Sequence, residues 1–159
     1  MPQKIAPCLW FNGNAEQAVK FYVSVFKRSK IKSIMRYGDA GPGKKGDVLM
    51  LEFKLEGQDF LALNGGADFP HSPAISLYVH TSDQKETDAL WRKLLKGGGK
   101  ESQCGWLSDK FGVSWQIIPD VLPKSLMSKD KAKSDQAMKA MLQMVKIDIK
   151  KLERAVAAA

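Results

Sequence analysis

Apolar residues near the start of the chain recur at the spacing of an amphipathic helix. Positions i, i+3, i+4 and i+7 share one face of a helix, so the pattern predicts a helix over 15–27 with Asn14 as a good N-cap. The apolar positions are Ala15, Ala18, Val19, Tyr22, Val25 and Phe26. Short apolar runs predict one strand before this helix and three after it, over Ile5–Asn12, Lys30–Tyr37, Val48–Leu55 and Asp59–Asn64.

The second half of the chain repeats this order of elements. A strand candidate covers Ala74–His80, and Asp83 caps a helix that Gly97–Gly99 ends. The stretch Gln103–Leu122 then has the turn residues of a hairpin, and its second strand stops at Pro119 because proline has no N–H to donate.

The two halves align residue by residue. An offset of 69 residues places Ala18–Phe26 on Thr87–Leu95. The sequence therefore predicts an α+β fold of two βαβββ modules, at about 1–68 and 72–123. Together they would form a curved mixed sheet around a cleft, with the helices outside.

Alternation along the strands predicts which side chains face away from the helices and toward this cleft. In the first half these positions are Pro7, Leu9 and Phe11. In the second half they are Ser76, Tyr78 and His80.

Residues 124–159 read as a basic helical C-terminal extension. Two apolar stripes lie within 135–145 and 147–156, and short amphipathic helices must bury such stripes. Packing on the body or in a dimer is the favoured interpretation. The methionines of this tail leave open an adaptable partner surface, and with it a pure interaction protein.

The charge distribution argues against nucleic-acid binding. The formal net charge is +8, but nine Lys/Arg against four Asp/Glu between Lys124 and Ala159 supply five of these charges. A nucleic-acid binder would combine a basic face with aromatic residues on the folded body, whereas this tail has no Phe, Tyr or Trp. The loop Gly38–Gly46 also lacks the order of a phosphate-binding loop, because a strand follows it.

Composition indicates an ordinary globular protein, with 44% hydrophobic and 26% charged residues. No apolar run approaches the roughly 20 residues of a membrane helix, and the N-terminus does not resemble a signal peptide. Cys8 and Cys104 are far apart and are expected to be reduced, so we expect a cytoplasmic protein without membrane contact.

Three segments together resemble the PhnB-like family. They are Asn12–Phe26, Ala74–Leu94 and Gln103–Pro119, and Met141–Ala155 is similar to the C-terminal extension of many members. The family lies within the vicinal oxygen chelate superfamily, which includes glyoxalases, bleomycin-resistance proteins and extradiol dioxygenases. The resemblance implies paired βαβββ modules and a homodimer. Many members carry the label 3-demethylubiquinone-9 3-methyltransferase.

The resemblance also implies where a catalytic metal would bind. Members of the superfamily that use a divalent metal hold it with His and Glu side chains in the cleft. Aligned on the two helices, these positions fall on Pro7, Leu61, Ser76 and Gln116, none of which is a good ligand. We therefore predict no catalytic metal and no other cofactor.

Two other chemistries find little support in the residues. A nucleotide-like methyl donor needs a glycine-rich turn between a strand and a helix, and the turn in that position, 12–14, has one glycine. Cys104 as a nucleophile would need a neighbouring base, and no histidine is adjacent to it in sequence.

What remains is a cleft lined by aromatic and small polar residues, which suits a small aromatic or amphipathic ligand. The residues predicted to line it are Phe11, Ser76, Tyr78, Trp106 and Gln116. The leading hypothesis is a metal-free binding protein. The alternatives are a metal-dependent enzyme of the glyoxalase or dioxygenase type and a methyltransferase.

Overall fold

The computed structural model describes residues 3–159, and these residues group into two compact units. The first ends at Pro70, and the second covers His71–Ala159. Across the described residues, none of the helices has both the length and the apolar content to cross a membrane.

The first unit is a four-stranded sheet with one helix. Its elements are β1 (Cys8–Phe11), α1 (Ala15–Val25), β2 (Lys30–Arg36), β3 (Val48–Leu55) and β4 (Gln58–Asn64). The strands lie in the order β1-β4-β3-β2, and β1 is parallel to β4 while the other neighbours are antiparallel. The amphipathic face of α1 is buried, as its spacing predicts.

The second unit repeats this arrangement. Its sheet and crossover helix are β5 (Ser76–Thr81), α2 (Gln84–Leu95), β6 (Lys100–Glu101), β7 (Trp106–Ser108) and β8 (Ser114–Pro119). The order is β5-β8-β7-β6, again with the first strand parallel to the last. The predicted α+β fold with two βαβββ modules is confirmed.

In the first unit, β1 turns Leu9 and Phe11 toward the core. Their side chains are 8% and 4% exposed. Phe11 pairs with Asn64, whose side-chain oxygen accepts hydrogen bonds from the N–H groups of Gly13 and Ala15 at the start of α1. Since paired residues share a face of the sheet, Phe11 lies on the helix side.

The prediction that Leu9 and Phe11 face away from the helix is therefore wrong, and Trp10 occupies that face instead. The reason is the length of one connection. Three residues separate β1 from α1, whereas two separate β5 from α2. Aligning the helices shifts the strands by one residue, and a shift of one residue moves every side chain to the other face.

The C-terminal segment adds three helices to the second unit: α3 (Val121–Leu126), α4 (Lys131–Leu142) and α5 (Ile149–Ala157). Helix α3 begins before Pro123, since proline is tolerated in a first turn. These helices bury their apolar stripes in a cluster formed by Ile118, Leu122, Ala137, Met144, Ile147 and Leu152. They thus pack onto the end of β8.

Polar contacts join the same segment to α2. The amide of Gln84 donates to the Ile147 carbonyl (3.1 Å) and accepts from the Ile149 N–H (2.8 Å). Lys146 forms an ion pair with Asp88, and this lowers the pKa of the Asp88 carboxyl below its ordinary value. The extension is consequently held against the N-terminal half of α2 as well as against the end of β8.

Candidate functional site

The sheet of the second unit has one face against α2 and one face turned away from it. Thr81 lies on the helix side, because its hydroxyl is 2.6 Å from the Thr87 hydroxyl of α2. Side chains alternate along β5, so Ser76, Tyr78 and His80 lie on the other face. The second half thus follows the predicted alternation.

Strand register brings further predicted site residues to this face. Gln116 of β8 pairs with Tyr78 on one side and with Trp106 of β7 on the other. The Gln116 amide nitrogen donates to the Ser76 hydroxyl at 2.9 Å. We call the set Ser76, Tyr78, His80, Trp106 and Gln116 the polar face. Of the five predicted ligand-binding residues, four lie on it, and Phe11 belongs to the core of the first unit.

The polar face combines flat rings with adjustable hydrogen-bonding groups. Tyr78 is 45% exposed, and Ser76, Trp106 and Gln116 are half-buried. The Ser76–Gln116 hydrogen bond fixes the direction of the amide, leaving its oxygen as an acceptor. Such a surface can stack against an aromatic ring and hydrogen-bond to its substituents.

One end of the polar face carries a hydrogen-bonded His–Asp pair, of which the sequence analysis had found only His80. His80 Nδ1 lies 3.1 Å from Asp120 Oδ1, and the His80 and Tyr78 ring centroids are 4.9 Å apart. Burial, and secondly the charge of Asp120, raise the pKa of the Tyr78 hydroxyl. Asp120 escaped prediction because it follows Pro119, where the strand pattern ends.

The positions that would hold a catalytic metal do not fit one. Ser76 and Gln116 hydrogen-bond to each other, and Leu61 offers no ligand atom. Cys8 pairs with Leu61, and burial raises the pKa of its thiol, which disfavours the thiolate that a metal requires. Within residues 3–159, no three His, Cys, Asp or Glu side chains converge as a metal site would need.

The turn before α1 has its amide groups already engaged. The Asn64 side chain accepts from Gly13 and Ala15 at 3.0 and 3.1 Å and donates to the Val48 carbonyl at 2.9 Å. A phosphate or carboxylate would have to displace this buried amide. The turn therefore serves the core of the first unit rather than a nucleotide-like methyl donor.

Cys104 lies in the turn that leads into β7. Its backbone has a positive φ of 59°, and its N–H donates to the Met144 carbonyl at 2.8 Å. The neighbouring Gly105 N–H donates to the Val145 carbonyl at 2.7 Å. The C-terminal extension thus fixes the turn from which Trp106 emerges, which gives the cysteine segment a structural role.

Comparison with known proteins places this geometry in a family. Residues 3–118 match the family model described as 3-demethylubiquinone-9 3-methyltransferase. A comparison with curated proteins gave no match.

Solved structures show the same fold. A Bacillus cereus protein described as a putative 3-demethylubiquinone-9 3-methyltransferase, PhnB protein, is 40% identical, with a TM-score of 0.68 over 74% of this chain and 99% of that one. A Pseudomonas aeruginosa protein is 20% identical, with a TM-score of 0.63 over 74% and 97%. A glyoxylase/bleomycin resistance protein/dioxygenase domain from Frankia shares the fold at 13% identity, with a TM-score of 0.51 over 75% and 98%. The chain belongs to the PhnB-like 3-demethylubiquinone-9 3-methyltransferase family, and it has the fold of a glyoxylase/bleomycin resistance protein/dioxygenase domain.

Proposed function

We propose that this protein binds a small aromatic or amphipathic molecule on the polar face and does so without a resident metal. The observation that carries the proposal is the convergence of Ser76, Tyr78, Trp106 and Gln116 from three adjacent strands. Rings and neutral polar groups together are the usual lining of a small-molecule site.

The chemistry of the face favours binding over metal-assisted turnover. A Lewis-acid mechanism needs three or four side chains with good ligand atoms around one metal ion. The positions that align with metal ligands of the superfamily carry Ser76, Gln116 and Leu61 instead. The Ser76–Gln116 pair instead offers a directed amide oxygen beside two aromatic rings. This arrangement selects a ligand by shape and hydrogen bonding.

Replacing Trp106 by alanine is expected to weaken binding of N-phenyl-1-naphthylamine, a neutral aromatic probe that the basic tail does not attract. Loss of a stacking ring corresponds to about a tenfold increase in Kd. Fluorescence titration measures this. Met138→Ala is the matched control, because it removes an exposed apolar side chain from α4 of the same unit and should leave Kd unchanged.

The same protein, purified without chelator, also tests the alternatives. Stoichiometric zinc, nickel, manganese or iron that survives dialysis would favour the metal-dependent enzyme. Calorimetric binding of S-adenosylmethionine would favour the methyltransferase activity that the family description names. Equal probe binding by the parent chain and Trp106→Ala would contradict the polar face as the site.

We also propose that the chain forms a homodimer, as its family resemblance implies. Support comes from the edge strand β2, where Ile34 and Met35 are 39% and 51% exposed. An edge strand with exposed apolar side chains is commonly covered by a partner. Met35→Glu is expected to shift the mass measured by sedimentation equilibrium from dimer to monomer. Met127→Glu places the same charge at a methionine that is 75% exposed and should not change the mass.

A further inference from the structure

His80 is hydrogen-bonded to Asp120 at one end of the polar face. It lies on β5 opposite Ile118 of β8, and Asp120 follows two residues later on β8's continuation. The Asp120 N–H donates to the Thr81 carbonyl at 2.9 Å, which holds the Asp120 backbone next to the end of β5. The pair thus rests on backbone geometry as well as on its own 3.1 Å contact.

The contact decides which imidazole nitrogen carries the proton. An ionised carboxylate can only accept hydrogen bonds, so Nδ1 of His80 must be the donor to Asp120. In the neutral ring Nε2 is then an acceptor. The His80 side chain is 68% exposed, so a ligand on the polar face can reach it.

The ring of Tyr78 lies next to the imidazole of His80. Its ring centroid is 4.9 Å from that of His80, with an angle of 58° between the planes. Since its pKa is raised by burial and by the Asp120 charge, the hydroxyl stays protonated at neutral pH and remains a donor. The end of the polar face therefore presents a proton acceptor next to an aromatic surface.

We propose that His80, oriented by Asp120, accepts the proton of an acidic hydroxyl, so that the ligand of the polar face is a phenol or an enol. This inference rests on the proposed small-molecule function and specifies its ligand class. The hydroxyl proton moves to Nε2 and the oxygen keeps the electron pair. The resulting imidazolium stays hydrogen-bonded to Asp120 through Nδ1–H.

Two probes that differ by one group test this role. 4-Nitrophenol has the acidic hydroxyl, and 4-nitroanisole replaces its proton by a methyl group. At near-neutral pH, where an ordinary imidazole is largely unprotonated, the protein is expected to bind the phenol at least about tenfold more tightly than the anisole, the range of a charge-assisted hydrogen bond. The bound phenol is also expected to show more of the visible phenolate absorbance than the free phenol does at the same pH.

Three substitutions test whether the preference for the phenol and the phenolate absorbance come from His80 and Asp120. His80→Phe keeps a ring beside Tyr78 but has no acceptor, and it should bind both probes equally without phenolate absorbance. Asp120→Asn, which removes the charge that stabilises the imidazolium, should reduce both the preference and the absorbance. Lys124→Ala removes an exposed positive charge from α3 and controls for general attraction of the anion. It should keep both the preference for the phenol and the phenolate absorbance.

Three other outcomes would overturn the proposal. Equal affinity of the parent chain for both probes would overturn the proton-acceptor role while the aromatic site stands. A preference that survives in His80→Phe would also overturn it. Binding of neither probe would remove the small aromatic site itself, and the role of His80 with it.

Discussion

Replacing Asp109 by alanine is expected to lower the free energy of unfolding by about 3 to 5 kcal/mol. The carboxylate is 4% exposed and organises the hairpin between β7 and β8. One oxygen accepts from the N–H groups of Phe111 (2.8 Å) and Val113 (3.1 Å), and the other accepts from the Trp115 indole at 2.9 Å. Alanine removes both acceptor oxygens, and with them three hydrogen bonds, from a largely buried position.

Urea denaturation measures this loss of stability, and two further variants identify its origin. Asp109→Asn keeps one acceptor oxygen but turns an amide donor toward other donors, so it should cost about 2 kcal/mol. Asp148→Ala removes the N-cap of α5, whose carboxylate accepts from the Lys151 N–H at 3.0 Å, and should cost about 1 kcal/mol. Equal losses for Asp109→Ala and Asp148→Ala would contradict a special role for the hairpin carboxylate.

Gly105→Ala is expected to destabilise the protein by about 3 kcal/mol and to weaken binding of aromatic probes at Trp106. Gly105 has a φ of +83°, and an added Cβ would lie 2.7 Å from Ile118 Cδ1 and 3.1 Å from the Ile117 carbonyl oxygen. Ile147 of the C-terminal extension closes the remaining side at 3.2 Å. The turn must therefore move, and Trp106 follows it directly in the chain.

Gly57→Ala separates backbone strain from this crowding. Gly57 has a similar φ of +87°, but nothing lies within 4 Å of its added Cβ. It should cost about 1 kcal/mol, the penalty of the left-handed conformation alone. Thermal unfolding and probe titration compare the two variants. If both lose the same stability and retain probe binding, the extension does not position Trp106 through Gly105.

Local pattern was enough to predict most of the fold. The apolar spacing of α1 and α2, the glycines and prolines that end the elements, and the offset of 69 residues specify two βαβββ modules. These features are visible in the sequence itself, so they can be read without knowing any spatial contact. The positions of Ser76, Tyr78, Trp106 and Gln116 on one face follow from the same alternation.

Tertiary structure decided the features that depend on distant residues. Which face of the sheet carries Phe11 depended on one extra residue in the β1–α1 connection. Alternation divides the side chains of a strand between two faces but does not say which face the helix covers. Asn64 bonds to Gly13, 51 positions away, through a sheet that must form first. His80 and Asp120 lie 40 positions apart and meet only because β5 and β8 are parallel neighbours. Sequence thus determined which residues share a strand face, whereas chain packing determined which of them meet and what they can do together.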